Sequence, residues 1–313
     1  MNGDGHQDII DIYGGNNTDP ASQYPGTVVI YLGDGHGNFQ ESSSVDLPVG
    51  IAGARLADFN HDGKCDLVVL TANPNNGAGS NTRIDFFLNH GDGTFTNSQS
   101  ISDTGVTGAA ESLGPVGDFN QDGKTDVVIL NAANNGFRIL NGRGNGTFQD
   151  PQRDTYVFDK YVIASSAAAD LNHDGKLDLV FSLAPINTGT VRPTIVTLLA
   201  KQTGGFYWYA ATSIPGSGFA NSAHLSDVDG DGKLDVSYLN SANGEIRVLK
   251  GDGNGKFGAP QYIFNVTKVV PYFYSFQMIA APLKIGGRPS IFFSGQQTQQ
   301  GQGYLGVLLN QSR

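Results

Sequence analysis

Apolar residues in this chain come in short runs, each introduced by a polar, glycine-containing loop. The clearest are Leu-Val-Val-Leu at 67–70, Val-Val-Ile-Leu at 127–130, Leu-Val-Phe at 179–181 and Val-Ser-Tyr-Leu at 236–239. Branched and aromatic residues fit a pleated, half-buried surface, and no stretch carries the 3.6-residue spacing of an amphipathic helix. Each run therefore predicts a strand. After a further polar loop comes a second apolar run, as at 84–88 and 246–249. It ends on a glycine turn of the form Gly-x-Phe: Gly37-Asn38-Phe39, Gly93-Thr94-Phe95, Gly146-Thr147-Phe148 and Gly255-Lys256-Phe257, with Gly204-Gly205-Phe206 as a looser copy. A more polar strand and a small-residue lead-in, such as 51–57, complete the unit.

That unit recurs. The loop before the first apolar run begins at Asp58, Asp118, Asp170 and Asp227, in steps of 60, 52 and 57 residues. Four strands per repeat of this length, joined locally, predict an all-β fold: a β-propeller of four-stranded blades. Six blade equivalents are visible over 1–313, read as one domain with units at about 1–50, 51–110, 111–162, 163–219, 220–274 and 275–313. A segment of a seven-bladed propeller is the alternative. The expected strands number three, four, four, four, four and three. The last unit carries Pro282 to Ser290 where the others carry the acidic loop, and it offers no carboxylate there. The chain also opens inside a loop, which predicts a fragment of a longer protein.

The loop itself reads Asp-x-Asn/Asp-x-Asp-Gly-x-x-Asp. Calcium takes six to eight hard oxygen ligands in flexible geometry, and this spacing can supply them. In the first full copy the donors are Asp58, Asn60, Asp62, the Lys64 carbonyl and Asp66; in the second they are Asp118, Asn120, Asp122, Lys124 and Asp126. The third offers Asp170, Asn172, Asp174, Lys176 and Asp178, and the fourth Asp227, Asp229, Asp231, Lys233 and Asp235. The opening copy retains Asn2, Asp4, the His6 carbonyl and Asp8 but lacks its first ligand, so it is expected to be weaker or empty. Four full structural Ca2+ sites are expected, with a fifth truncated one. An EF-hand needs a glutamate at loop position 12 and flanking helices. Position 12 here is Val69, Ile129, Phe181 or Tyr238, each inside a strand run, so that rival fails.

Charge and composition fit this picture. The 313 residues carry a formal net charge of −10, and fifteen of the 29 acidic residues lie in the loops. No basic cluster suggests nucleic-acid binding. No run of eighteen apolar residues predicts membrane insertion. The single cysteine, Cys65, permits no intrachain disulfide and is expected to pack.

The loops, the Gly-x-Phe turns and the sequence Phe257-Gly258-Ala259-Pro260 resemble FG-GAP repeats, also called VCBS-type repeats, of integrin α-subunit propellers and many bacterial surface proteins. The resemblance implies a calcium loop between the first and second strands of each blade, with ligands taken on the opposite face of the disc. It implies a non-catalytic, extracellular or cell-surface adhesion module for a protein or glycan. A propeller-based polysaccharide lyase and a structural spacer within a larger surface protein are the alternatives. No nucleophile elbow or helical His pair supports catalysis. The candidate ligand-binding residues are Tyr24, Arg55, Tyr207, Trp208, Tyr209, His224, Tyr272 and Tyr274. The aromatic clusters among them are expected in loops away from the metal face, and Arg55 and His224 on innermost strands.

Overall fold

The computed structural model describes residues 1–13, 25–48, 50–72, 82–102, 111–131, 135–149, 156–186, 192–215, 220–240, 243–265, 273–282, 289–297 and 303–308. They form strands and turns, with no helix among them. None therefore contains a helix long and apolar enough to cross a membrane.

Two compact units divide the chain, Met1–Val157 and Phe158–Arg313. In the first unit, β1 (Ile9–Tyr13), β2 (Gly26–Gly33) and β3 (Phe39–Leu47) make a three-stranded sheet. A four-stranded sheet follows from β4 (Ile51–Ala57), β5 (Asp66–Ala72), β6 (Thr82–Asn89) and β7 (Phe95–Ser102). The third contains β8 (Glu111–Gly117), β9 (Asp126–Asn131), β10 (Gly136–Leu140) and β11 (Tyr156–Val157). The second unit holds β12 (Tyr161–Ala169), β13 (Asp178–Pro185), β14 (Thr194–Ala200) and β15 (Phe206–Ser213) in one sheet. Next come β16 (Ala220–Ser226), β17 (Asp235–Asn240), β18 (Glu245–Leu249) and β19 (Gln261–Asn265). The last sheet is three-stranded: β20 (Phe273–Pro282), β21 (Pro289–Gln297) and β22 (Gly303–Leu308). Every pairing is antiparallel between strands that follow one another in sequence. Among the described residues the sheets hold three, four, four, four, four and three strands, as the repeat pattern predicts. The degenerate slot at 283–288 lies outside the described residues.

The middle strands read as unbroken apolar runs because both their faces are covered. Leu67 and Val69 of β5 join Val28, Ile30 and Phe87 in one core layer. Val68 and Leu70, on the other face, join Phe59, Phe86, Val127, Ile129 and Phe148 in the next. The Gly-x-Phe residue Phe148 stacks on Phe86 at 3.9 Å and meets Phe59 edge-on at 5.4 Å. In the second unit Val180, Ile195, Val236, Tyr238 and Phe257 form the matching layer between the fourth and fifth sheets.

Polar ties stitch neighbouring sheets within each unit. The Gln99 amide acts like a strand edge, donating to the Phe148 carbonyl at 3.1 Å and accepting its N–H at 2.6 Å. Ser98 donates to the Gly146 carbonyl at 2.7 Å, and Thr212 donates to the Phe257 carbonyl at 2.8 Å.

Candidate metal loops

Each acidic loop leaves the first strand of its sheet and ends on the second, so its last carboxylate is the first residue of β5, β9, β13 or β17. Hydrogen bonds inside the loop turn the side-chain oxygens inward. Asp58 accepts N–H groups from Asp62 at 3.2 Å and Gly63 at 2.9 Å, and Asn60 accepts the same Asp62 N–H at 3.0 Å. Asp62 accepts the Lys64 N–H at 3.0 Å. The pattern repeats around Asp118, Asp170 and Asp227. Gly63 has φ of 84°, a conformation that admits glycine at little cost.

The fourth loop position is left-handed as well: His61, Gln121 and His173 have φ of 61°, 65° and 59°. The sequence reading missed this. Its signal was glycine at the same position in two copies, Gly3 and Gly230.

The last carboxylate of the loop is a backbone acceptor on both oxygens. Asp66 is fully buried; one oxygen accepts the Phe59 N–H at 2.9 Å and the other the Asn89 N–H at 2.9 Å. It thereby ties the start of the loop to the end of the third strand. Asp126 does the same with Phe119 and Gly142, Asp178 with Leu171 and Ala200, and Asp235 with Val228 and Gly251. Asp8 of the opening copy accepts from Gly33 and from the Met1 ammonium. Burial pushes the Asp66, Asp178 and Asp235 carboxyls up, and that of Asp126 to about 6, against the opposing pull of the backbone hydrogen bonds.

The middle carboxylate behaves in the opposite way. Asp62 pairs with Lys64 at 3.1 Å, and that hydrogen bond holds its carboxyl below the usual range. Asp122 pairs with Lys124, Asp174 with Lys176 and Asp231 with Lys233. In the fourth loop, carboxylate oxygens of Asp227, Asp229 and Asp235 lie within 4.8 Å of one another, and Asp229 also accepts Lys250 Nζ at 2.5 Å. All these donors are hard oxygens. Oxygen donors of this kind fit a calcium ion.

Other expected residues fall as follows. Cys65 is exposed rather than packed. Its carbonyl is the part in use, accepting from the Asn89 amide at 3.1 Å, while the thiol turns outward. Arg55 on β4 donates to the Leu113 and Gly114 carbonyls of β8, at 2.7 and 3.1 Å, which ties two innermost strands together. His224 sits half-buried on β16 opposite Ser237. Tyr24 and Tyr272 lie outside the described residues, and Tyr274 stands on β20 opposite Gln296. Tyr207, Trp208 and Tyr209 correct an expectation. They lie on strand β15 rather than in a loop, just after the third-to-fourth-strand turn. In an antiparallel four-stranded sheet that turn shares an end with the first-to-second-strand loop, so these aromatics flank the acidic-loop end.

This is a β-propeller built of antiparallel, mostly four-stranded blades. Solved propeller structures align along nearly its whole length. A periplasmic gluconolactonase of Pseudomonas aeruginosa aligns with TM-score 0.63 and 13% identity over 97% of this chain and 85% of its own. An Agrocybe aegerita lectin specific for non-reducing terminal N-acetylglucosamine gives TM-score 0.59 and 15% identity over 97% and 81%. A Penicillium chrysogenum α-L-arabinanase, complexed with arabinobiose, gives 0.58 and 11% over 96% and 89%. Among curated proteins none matches the chain in sequence. The FG-GAP-like repeat family matches residues 1–69, 58–129 and 118–181, and the chain belongs to that family. Two of those windows open on the first aspartate of a loop, Asp58 and Asp118.

Proposed function

We propose that this chain is a calcium-braced, non-catalytic binding module of the cell exterior whose ligand is a carbohydrate. The observation that carries the reading is the hydrogen-bond pattern repeated in four loops, with three carboxylates of the fourth within 4.8 Å of one another. Clustered carboxylates repel unless a cation offsets them. Asp58, Asn60, Asp62, Asp66 and the Lys64 carbonyl, with their counterparts in the other loops, would hold the ion. Its chemistry there is charge neutralisation and cross-linking of each strand-to-strand loop. Sites of the weak extracellular type need roughly millimolar calcium, which supports an exterior location. The lectin and arabinanase likenesses support a saccharide as ligand.

Binding to the folded state alone adds about 2.7 kcal/mol per site at a hundredfold excess of calcium over Kd. Several such sites equal the whole stability of an ordinary domain, about 5–15 kcal/mol. The test is a thermal melt in millimolar calcium and in EDTA, with metal content followed by elemental analysis, alongside a glycan array in both conditions. A large fall in Tm on chelation and array signals that need calcium are expected. An unchanged melt after verified metal removal rejects the brace; an array blank in calcium rejects the carbohydrate.

A further inference from the structure

We propose that Tyr207, Tyr209 and Lys256 form a binding patch for an acidic saccharide at the edge of the fourth sheet. The proposal rests on the carbohydrate-binding reading above and gives it a place and a ligand class.

One position differs between the fourth sheet and its sister sheets. The outer strand bulges three residues beyond the turn phenylalanine in the first, second and fourth sheets: after Phe39 at Ser42, after Phe95 at Ser98 and after Phe206 at Tyr209. The bulged residue abuts the turn glycine of the next sheet. A Cβ placed on Gly93 would meet the Ser42 hydroxyl at 2.9 Å, and one on Gly255 would meet the Tyr209 ring at 3.5 Å. Ser98 reaches the corresponding Gly146 carbonyl by hydrogen bond. A serine therefore suffices for the sheet-to-sheet contact. The first two sheets carry Gln40-Glu41-Ser42 and Thr96-Asn97-Ser98 where the fourth carries Tyr207-Trp208-Tyr209. The serine contact shows that the fold does not require an aromatic ring at the bulged position, Tyr209.

These rings are also costly to expose. Tyr207 is 43% exposed and Trp208 53% exposed. Tyr207 and Tyr209 meet edge to face at 6.3 Å, leaving ring faces of the kind that stack on the C–H face of a pyranose. Lys256 Nζ stands 5.6 Å from the Tyr209 ring centre. Lys64, Lys124, Lys176, Lys233 and Lys250 are each tied to an aspartate, whereas Lys256 has no ion pair among the described residues. An ammonium over the Tyr209 ring, with no ion pair among the described residues, matches a sugar bearing a carboxylate or sulfate.

Trp208, the only tryptophan in the sequence, packs against Phe158 at 6.0 Å. The experiment titrates the calcium-loaded chain with trigalacturonate, a chondroitin sulfate tetrasaccharide, maltotriose and triglutamate, reading the heat of binding by calorimetry. A saturable change with either acidic saccharide, and none with maltotriose or triglutamate at the same concentration, is expected. Tyr207→Thr with Tyr209→Ser installs the second sheet's residues, keeps Trp208 and should weaken binding about tenfold or more. Lys256→Gln should weaken it and flatten its dependence on salt. Unchanged affinity in the double variant, with its melting curve intact, overturns the site. Equal binding of maltotriose or triglutamate overturns the ligand class. Glycan-array signals without binding of either acidic saccharide overturn this proposal alone, whereas a chain that binds no saccharide at all overturns the functional reading beneath it.

Discussion

Asp126→Asn separates what a buried loop carboxylate holds from what it costs. Asp126 has no exposed surface and accepts two backbone N–H groups, from Phe119 at 2.9 Å and Gly142 at 2.8 Å. Burial, reinforced by Asp122 and Asp118, still pushes its carboxyl up to about 6. An unperturbed aspartate titrates near about 3.9. Because the folded value is the higher one, the folded state holds the proton more tightly. The stability this contributes is fully present below about pH 4 and is lost as the pH rises through about 6. At about 1.4 kcal/mol per unit, the ionised carboxylate is a liability of about 3 kcal/mol at pH 7 without metal. Asparagine has no such liability, but its amide nitrogen must face one of the two N–H groups, and an orphaned buried donor costs about 1–3 kcal/mol. In EDTA at pH 7 the variant should therefore match the wild type or exceed it by up to about 2 kcal/mol. At pH 4.5 the liability shrinks to about 1 kcal/mol and the variant should be the less stable or at best equal. In calcium at pH 7 it should again fall below wild type, since a neutral amide replaces a charged ligand. Urea denaturation followed by far-UV circular dichroism measures all three. A variant destabilised by 2 kcal/mol or more in EDTA at pH 7 would refute the reasoning.

Two further outcomes follow from buried groups. Tyr238 is fully buried in the second unit's core, its hydroxyl has no partner among the described residues, and burial pushes the phenol up to about 12. Tyr238→Phe should gain about 1 kcal/mol at pH 7. The raised folded pKa also means that wild type loses about 3 kcal/mol as pH climbs from about 10 through 12, a loss the phenylalanine variant should not share in urea melts read by Trp208 fluorescence. Gly142→Ala would set a Cβ 2.2 Å from the Thr125 carbonyl oxygen and should cost about 1–3 kcal/mol in the same kind of melt. Ala200 accepts a Cβ at the corresponding place in the fourth sheet, beside Asp178, so an unchanged Tm for Gly142→Ala would mean that the third sheet has the same slack.

The strand count and the loop positions were legible because each is written several times over. A strand pattern such as 67–70 is ambiguous alone, but four copies with a common loop before and a common turn after leave one architecture. What repetition could not convey was the direction of hydrogen bonds. Asp66 sits at loop position 9, and sequence spacing makes it one more oxygen donor. Its hold on the Asn89 N–H depends on the third strand returning to the loop, 23 residues later. Cys65 failed for a related reason: its counterparts in other copies are Thr125, Leu177 and Leu234, yet it is exposed and its carbonyl is the engaged group. Tyr207 to Tyr209 were legible as an unusual cluster, but their place beside the acidic loops follows from strand direction and a bulge that composition does not announce.

The charge balance of the loops is consistent with the proposed calcium sites, one divalent ion apiece. In each of the first three full loops, three aspartates face one lysine, leaving two negative charges: Asp58, Asp62 and Asp66 with Lys64 are the first such set. The fourth loop replaces Asn172's counterpart with Asp229 and so carries a fourth carboxylate. It also gains a second ammonium, because Lys250 reaches across from the end of the third strand to Asp229. Four aspartates against two lysines again leave two negative charges. A loop that varied its ligands freely would not keep this residue, whereas a loop matched to one divalent cation would. In the proposed calcium sites the same lysines would lower the affinity. An ammonium on the carboxylate at position 5 competes with the ion for that carboxylate, which lowers the effective ligand charge and favours the weak end of calcium binding. On the proposed function, the loops would combine an oxygen set with a built-in competitor. That combination suits a brace filled where calcium is plentiful and loosened where it is scarce.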